Sequence, residues 1–226
     1  MLEVKNLHKS YGKKEVLHNI NLVFLPGHVY GVVGENGAGK TTLFKCIAGL
    51  ERHTGLIRSS FSPLKDHLGY LETTPEFMSF ITGWEYLKLL CSARMIKTEN
   101  FEEQNVFNLP LNQYASTYST GMKKKLALMG VLLRKNDIII LDEPFNGVDI
   151  QSNVIIFDII EELRNLNKTV IISSHIFSTL SETCDEITLL SQGKVIKNVN
   201  KEDYKKLEQS MKENILGDQS KRIIIE

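Results

Sequence analysis

The chain carries, at positions 34–42, the stretch Gly34-Glu35-Asn36-Gly37-Ala38-Gly39-Lys40-Thr41-Thr42, which fits the phosphate-binding pattern G-x-x-x-x-G-K-[ST]. An apolar run, Val29–Val33, precedes it, and a run compatible with a helix, Thr42–Leu50, follows it. Glycines allow the tight turn that points main-chain N–H groups at a phosphate, and the N-terminus of the helix adds a favourable dipole. We expect Lys40 to reach the β- and γ-phosphates and the Thr41 hydroxyl to bind Mg²⁺. The stretch therefore predicts a strand–loop–helix unit that binds a nucleoside triphosphate.

Composition limits the class of protein. The 226 residues suit one globular domain, or one domain with a subdomain. The 27 basic and 27 acidic side chains balance, and no long basic run occurs, so nucleic-acid binding is not expected. The three cysteines are widely spaced, which indicates reduced thiols in an intracellular protein. No secretory signal is evident and no apolar stretch approaches about 20 residues, so we expect a cytoplasmic chain that reaches a membrane only through a partner.

Short apolar runs alternate with helical patterns, which predicts an α/β fold: a P-loop NTPase core with a largely parallel sheet. Residues 2–34 predict an N-terminal antiparallel β-subdomain, and apolar residues at helical spacing between Trp84 and Leu133 predict an inserted helical subdomain. Further elements are predicted at 68–71, 137–142, 153–165, 169–174, 186–191 and 194–199. The core would comprise about 2–72 and 134–200, the helical subdomain about 73–133, and a charged tail about 201–226. Residues 221–226 fit either a strand or disorder.

A second strong pattern is Ile138-Ile139-Ile140-Leu141-Asp142-Glu143. The apolar strand places Asp142 at its carboxyl end, where α/β sheets bind ligands. An aspartate at that position holds Mg²⁺ in P-loop NTPases. Glu143, one residue further on, is a candidate general base that polarises a water for attack on the γ-phosphate. A strand that ends in a solvated acidic turn is the structural alternative.

Together these stretches resemble an ABC-type ATPase domain. Tyr118–Met122 (Tyr-Ser-Thr-Gly-Met) resembles the ABC signature, Asn146–Asp149 resembles the D-loop, and Ser173–His175 resembles the stretch that ends in the switch histidine. Tyr11, before Gly12, resembles the aromatic residue that stacks on adenine. The motifs occur in the family's order from residue 2 to about residue 200. The resemblance implies a RecA-like core and, because of the form of the signature and the short tail, an exporter-type (ABC-2-like) stand-alone subunit.

The resemblance also implies a role for each motif residue. Ser119 and Gly121 would form an anion site that faces the γ-phosphate of ATP held by a second copy. His175 would contact the γ-phosphate and position the attacking water, and Asp149 would reach across the interface between copies. Tyr11 would stack on adenine. Ordinary structural roles stay open: a helix N-cap for Ser119 or Asp149, a strand-end histidine and a turn tyrosine.

The sequence departs from the family in two places. The family commonly has a glutamine, which binds Mg²⁺ and contacts the transport partner, after the strand predicted at Leu68–Leu71. Here Glu72 and Thr73 follow that strand, and we place Thr73 at the glutamine's position as a candidate Mg²⁺ ligand. The stretch 93–118 is also short, so the helical subdomain is expected to be trimmed and its partner surface to differ.

The resemblance implies an ATP-binding and ATP-hydrolysing subunit that powers transport through a separate membrane-spanning permease. Two copies would close head-to-tail on two ATP molecules with Mg²⁺, at the inner face of the cell membrane. A non-transport ABC ATPase in translation or DNA repair is the alternative, but such relatives usually carry two domains or long insertions. A P-loop kinase would not explain Ser119–Met122 or His175. A regulator that does not hydrolyse ATP conflicts with the presence of Lys40 and Glu143.

Overall fold

A computed structural model describes residues 1–97 and 100–209. Fourteen strands and α-helices follow one another between residues 2 and 200. They are β1 Leu2–Tyr11, β2 Lys14–Phe24, β3 Val29–Val33, α1 Lys40–Ile47, β4 Thr54–Ser59, β5 Leu68–Leu71, α2 Gly83–Ala93, α3 Thr120–Leu133, β6 Ile138–Asp142, α4 Ile150–Asn165, β7 Thr169–Ser174, α5 Phe177–Thr183, β8 Glu186–Ser191 and β9 Lys194–Asn200.

A six-stranded sheet forms the centre of the molecule, in the order β5-β6-β7-β3-β8-β9. The first five strands are parallel, and β9 pairs antiparallel with β8. Every residue of β3, β6 and β7 is buried. This is why their sequences are continuous apolar runs rather than alternating ones, because helices cover both faces of a parallel sheet. The carboxyl ends of β3, β6 and β7 lie at one edge, and this edge carries the phosphate-binding loop, Asp142 and Ser174.

A separate antiparallel sheet has the order β2-β1-β4. It confirms the predicted N-terminal antiparallel unit, although β4 joins it from residues 54–59, after α1. Val29–Val33 belongs instead to the six-stranded sheet. The apolar face of the antiparallel sheet and α1 share one buried cluster that includes Leu7, Phe24 and Phe44.

The inserted segment contains two α-helices. Thr82 caps α2 in a capping box with Glu85, and α2 packs against α3. Between them, the described residues of 94–119 hold only a short 3-10 turn, Ala115–Thr117. Side chains of α2 and α3 share one buried cluster with β6 and β7. The division of the chain at about residues 72 and 134 stays a prediction.

The structure also defines the ends of the elements. The helix predicted over 42–50 occupies Lys40–Ile47, and the one predicted over 153–165 begins at Ile150. Gln192 and Gly193 have φ of 46° and 73° and form the predicted turn between β8 and β9. Residues 204–209 are helical, and residues 221–226 lie outside the described part of the chain. Within residues 1–97 and 100–209, no helix combines the length and apolar character that crossing a membrane requires.

Candidate active site

The phosphate-binding loop runs from the end of β3 to the start of α1. Gly37 and Gly39 adopt φ of 84° and 108°, and a Cβ on Gly39 would lie 2.8 Å from a Leu17 methyl group. Glycine is therefore required at position 39 both for the backbone conformation and for space. Gly39 also precedes α1 without a side-chain cap, which leaves the first main-chain N–H groups of the helix available to an anion.

Lys40, the first residue of α1, is buried and turns back over this loop. Its ammonium group donates hydrogen bonds to the carbonyl oxygens of Gly34 (2.6 Å) and Glu35 (3.2 Å). It also lies 3.6 Å from Oε1 of Glu143. The charge of Lys40 is thus held over the mouth of the loop, where a phosphate chain would lie.

A cleft of about 330 Å³ opens in front of the loop. Its lining includes most of the residues that the sequence assigned to nucleotide and metal binding: Tyr11, Glu35, Asn36, Gly37, Gly39, Lys40, Thr41, Thr42, Thr73 and Glu143, together with Val16. Tyr11 is 45% exposed, and the Lys9 ammonium lies 4.4 Å from the centre of its ring. One face of the tyrosine is thus already paired with a cation.

Asp142 lies fully buried at the end of β6. Its Oδ2 accepts a hydrogen bond from the Thr41 hydroxyl (2.7 Å), and its Oδ1 accepts one from the Ser173 hydroxyl. The register of the parallel strands explains the second contact, because Asp142 pairs with Ser173 across β6 and β7. The hydroxyl of Tyr70, from β5, approaches Oδ2 at 3.4 Å.

The donor set around Asp142 fits Mg²⁺. A carboxylate and a hydroxyl are oxygen ligands, and Mg²⁺ typically takes one or two carboxylates together with substrate phosphates. Among the described residues no group of three or more His, Cys, Asp or Glu side chains is arranged for a metal, so a cage made of protein side chains is not available. Thr73 lines the cleft beside Thr41, but within the described chain its side chain makes no hydrogen bond to Asp142.

Glu143 has a left-handed backbone conformation, and both oxygens of its carboxylate have polar neighbours. Its φ is 52°, in the left-handed region, which is uncommon for a residue other than glycine. Its N–H donates to the Ser173 hydroxyl (2.9 Å), and Oε2 lies 2.9 Å from Nδ1 of His175. Oε1 faces Lys40. The structure therefore brings Lys40, Asp142, Glu143 and His175 together at one edge of the sheet.

Seven predicted residues do not line this cleft. Gly34 and Ala38 belong to the phosphate-binding loop, Asp142 and His175 contact Thr41 and Glu143, respectively, and Ser119, Gly121 and Asp149 lie on other segments. Exposed Ser119 caps α3 by accepting a hydrogen bond from the Met122 N–H (3.3 Å). Gly121 lies so close to the loop before α4 that a Cβ would be 2.6 Å from the Gly147 carbonyl oxygen. Ser119 and Gly121 thus lie at the N-terminus of α3 and do not line the nucleotide cleft of their own chain.

Asp149 is the N-cap of α4. It accepts hydrogen bonds from the Ser152 N–H (2.9 Å) and from the Lys125 ammonium (3.0 Å). These bonds, with that from the Ser152 hydroxyl, hold the pKa of Asp149 well below its usual range. Asp149 therefore has the N-cap role that the sequence left open, and its side chain remains exposed.

Sequence reasoning missed three contacts of the site. Tyr70 reaches Asp142 from β5, Ser173 joins Asp142 to Glu143, and the Lys124 ammonium donates to the carbonyl oxygens of Glu143 (2.8 Å) and Asn146 (2.7 Å). No local pattern signals Tyr70 or Lys124, and Ser173, two residues before the histidine, meets Asp142 only through the pairing of β6 with β7.

Comparison with known proteins agrees with this arrangement. The family described as ABC transporter matches residues 17–146. A bacitracin transport ATP-binding protein of Enterococcus faecalis is 33% identical over 213 residues, which cover 88% of this chain and 69% of the relative. A lantibiotic transport ATP-binding protein of Streptococcus pyogenes is 29% identical over 228 residues, covering 96% and 98%.

Solved structures show the same fold. The ATP-binding subunit of an ABC transporter superposes with a TM-score of 0.82 at 27% identity, covering 92% of this chain and 93% of that one. A dimeric ATP-binding cassette in a post-hydrolysis state bound to ADP and Pi gives a TM-score of 0.80 at 20% identity, covering 89% and 99%, and supports the fold alone. The phosphate-binding loop, the buried aspartate and the adjoining glutamate all lie within the residues that the family model matches, and this chain belongs to the ABC transporter family of ATPases.

Proposed function

We propose that the chain is the ATP-hydrolysing subunit of a transporter whose membrane-spanning part is a separate permease. The observation that carries the proposal is the Glu143 carboxylate, which lies 2.9 Å from His175 and 3.6 Å from Lys40 beside the phosphate-binding cleft. In this chemistry Lys40 binds the β- and γ-phosphates, and the γ-phosphoryl group passes to water with little covalent help from the protein. Positioning and charge stabilisation are therefore the main contributions of these residues.

Glu143 is assigned as the general base. Its Oε2 would take the proton from the attacking water, while His175, hydrogen-bonded to the same oxygen, orients the carboxylate and meets the γ-phosphate. Thr41 and Asp142 would hold Mg²⁺, which when bound neutralises charge on the β- and γ-phosphates. Thr73 lies within the same cleft and would act only at the edge of the metal shell.

A second copy of the chain would complete the site. Exposed Ser119 and the neighbouring Gly121 present a helix N-terminus, a favourable anion site, yet they do not line the cleft of their own chain. Asp149 is exposed beside them. Head-to-tail pairing would bring these residues over the γ-phosphate held by the partner, so that ATP closes the dimer and hydrolysis releases it.

The permease would dock on the helical insert. An apolar patch is exposed there, formed by Met78 (61%), Phe80 (84%), Leu89 and Tyr114, and large exposed apolar clusters mark interaction sites. The relatives named for bacitracin and lantibiotic transport support a transporter over a translation or DNA-repair ATPase. Docking would hold the chain at the inner face of the cell membrane.

The substitution Glu143→Gln tests the base and the dimer together. The amide keeps the size of the side chain but cannot accept the proton, so ATP binding should persist, steady-state hydrolysis should fall at least about 100-fold, and an ATP-bound dimer should accumulate in size-exclusion chromatography. Glu162→Gln, on the exposed side of α4, is the matched control and should hydrolyse ATP normally. Normal hydrolysis by Glu143→Gln would show that Glu143 is not the base.

A further inference from the structure

Lys124 is a buried cation beside the turn that carries Glu143. Its side chain is 2% exposed, in the second turn of α3. The ammonium donates to the carbonyl oxygens of Glu143 (2.8 Å) and Asn146 (2.7 Å). Both acceptors are main-chain groups, one at each end of the four-residue turn 143–146, so Lys124 bridges the two ends of the turn.

Holding a lysine there is unfavourable by itself. Burial disfavours the charged form and lowers the pKa of Lys124, although the nearby carboxylates of Glu143 and Asp142 oppose that effect. A buried ammonium is tolerated where its donors are satisfied. The two carbonyl oxygens accept bonds from two of the three N–H groups of the ammonium, and these bonds add to the turn's own hydrogen bond from the Asn146 N–H to the Glu143 carbonyl oxygen (3.2 Å).

The backbone conformation of Glu143 must be stabilised by its surroundings, because its φ of 52° is unfavourable for a residue with a side chain. A left-handed conformation at a residue other than glycine persists only where the surroundings enforce it. On the amino side, the N–H of Glu143 is held by the buried Ser173 hydroxyl (2.9 Å). On the carboxyl side, its carbonyl oxygen is held by Lys124. Both peptide groups flanking this Cα are therefore fixed by buried side chains, and this fixes the direction of the Cα–Cβ bond.

We propose that Lys124 is a positioning residue for ATP hydrolysis: by fixing the main chain of Glu143, it aims the carboxylate at the attacking water. The proposal rests on the assignment of Glu143 as general base. Lys124 itself touches neither nucleotide nor water in this scheme. Misplacement of a reacting group by about 1 Å can cost about 100-fold in rate, so the effect belongs in kcat rather than in ATP affinity.

The test begins with Lys124→Met, which keeps the aliphatic stem and removes the donors. We expect kcat for ATP hydrolysis to fall about 10- to 100-fold, with KM and the equilibrium ATP affinity changed less than about threefold. Lys88→Met is the matched control: its ammonium contacts the Trp84 ring on the exposed side of α2, and hydrolysis should be normal. Lys124→Gln, which keeps a polar donor, should lose less than Lys124→Met.

A double-mutant cycle separates positioning from a structural role. In the Glu143→Gln background the base is gone, so adding Lys124→Met should leave the residual single-turnover rate unchanged, and the ATP-bound dimer should still form. If Lys124→Met lowers the single-turnover rate of Glu143→Gln by the same factor as it lowers that of the wild type, the proposal is overturned. Loss of ATP binding by both Lys124→Met and Lys124→Gln would overturn it too, because the lysine would then support the fold rather than the base.

The outcomes also distinguish this proposal from the one on which it rests. Normal kcat in Lys124→Met together with an inactive Glu143→Gln would refute the positioning role and leave the base assignment intact. Normal kcat in Glu143→Gln would refute the base assignment, and the role of Lys124 would fall with it.

Discussion

Ser173 joins the two acidic residues of the site, and Ser173→Ala should therefore be costly. The serine is fully buried on β7. Its hydroxyl donates to Oδ1 of Asp142 and accepts from the N–H of Glu143 (2.9 Å). Alanine fits the same space but leaves a buried carboxylate oxygen with one bond fewer and a buried main-chain N–H without a partner.

The magnitude follows from these two losses. A hydrogen bond to a charged group contributes about 1.5–3 kcal/mol, and an ordinary one about 1 kcal/mol. We expect the free energy of unfolding to fall by about 3 kcal/mol. For a chain of this size each kcal/mol lowers Tm by about 2–4 °C, so Tm should fall by about 6–12 °C. Hydrolysis should also fall, because Asp142 and the backbone of Glu143 lose the same support.

Thermal unfolding followed by circular dichroism, without nucleotide, measures this effect. Ser174→Ala is the matched control: Ser174 is also buried, but within the described part of the chain its hydroxyl makes a single bond, which it accepts from the exposed Ile176 N–H (3.0 Å). That variant should lose about 1 kcal/mol or less. If the two alanine variants have Tm values within about 2 °C of one another, the bonds of Ser173 to the two acidic residues do not contribute the predicted amount of about 3 kcal/mol to the free energy of unfolding.

Two further predictions concern the loop that meets α3 and α4. Gly121→Ala places a Cβ 2.6 Å from the Gly147 carbonyl oxygen, so α3 must move away from the loop. Such overpacking costs about 1–3 kcal/mol of the free energy of unfolding, so we expect a lower Tm and weaker ATP-dependent dimerisation. An unchanged Tm would contradict the contact. The bonds from Ser152 and Lys125 depress the pKa of Asp149 in the folded state, so its stabilisation is complete well above pH 4 and is lost as pH falls below the ordinary aspartate value of about 3.9. The difference in Tm between wild type and Asp149→Asn should therefore narrow from pH 7 toward pH 3, and a constant difference would refute the linkage.

Local patterns predicted the parts of the site that one stretch of chain encodes. The loop 34–42 carries its own turn residues and the start of its helix, and the runs 138–142 and 169–174 are apolar because both faces of the sheet are covered. Helix starts were less accurate. Gly39 gives α1 no side-chain cap. Asp149, for which the sequence left an N-cap role open beside an interface role, is the cap of α4, which begins three residues before the predicted start at Asn153.

Contacts between distant segments could not be predicted in the same way. Ser173 meets Asp142 only because β6 and β7 pair in a particular register, and no local pattern specifies that register. Lys124 looks like one of three surface lysines in the sequence, but it is buried because α3 packs with its first turns against the loop 143–147. Its identity as a site residue therefore depends on tertiary packing alone.

Thr73, the residue that we place at the position of the family's glutamine, lines two clefts. It lines the nucleotide cleft and also a neighbouring cleft of about 880 Å³, whose other lining residues include Glu72, Tyr86 and Arg134. The second cleft reaches the helical insert, where we place the permease. A threonine side chain is shorter than a glutamine side chain, so Thr73 spans less of the distance between the two clefts, while the Tyr70 hydroxyl already approaches Asp142 on the metal side. We therefore expect metal contact to stay with Thr41 and Asp142, and partner contact to lie with the segment that begins at Glu72.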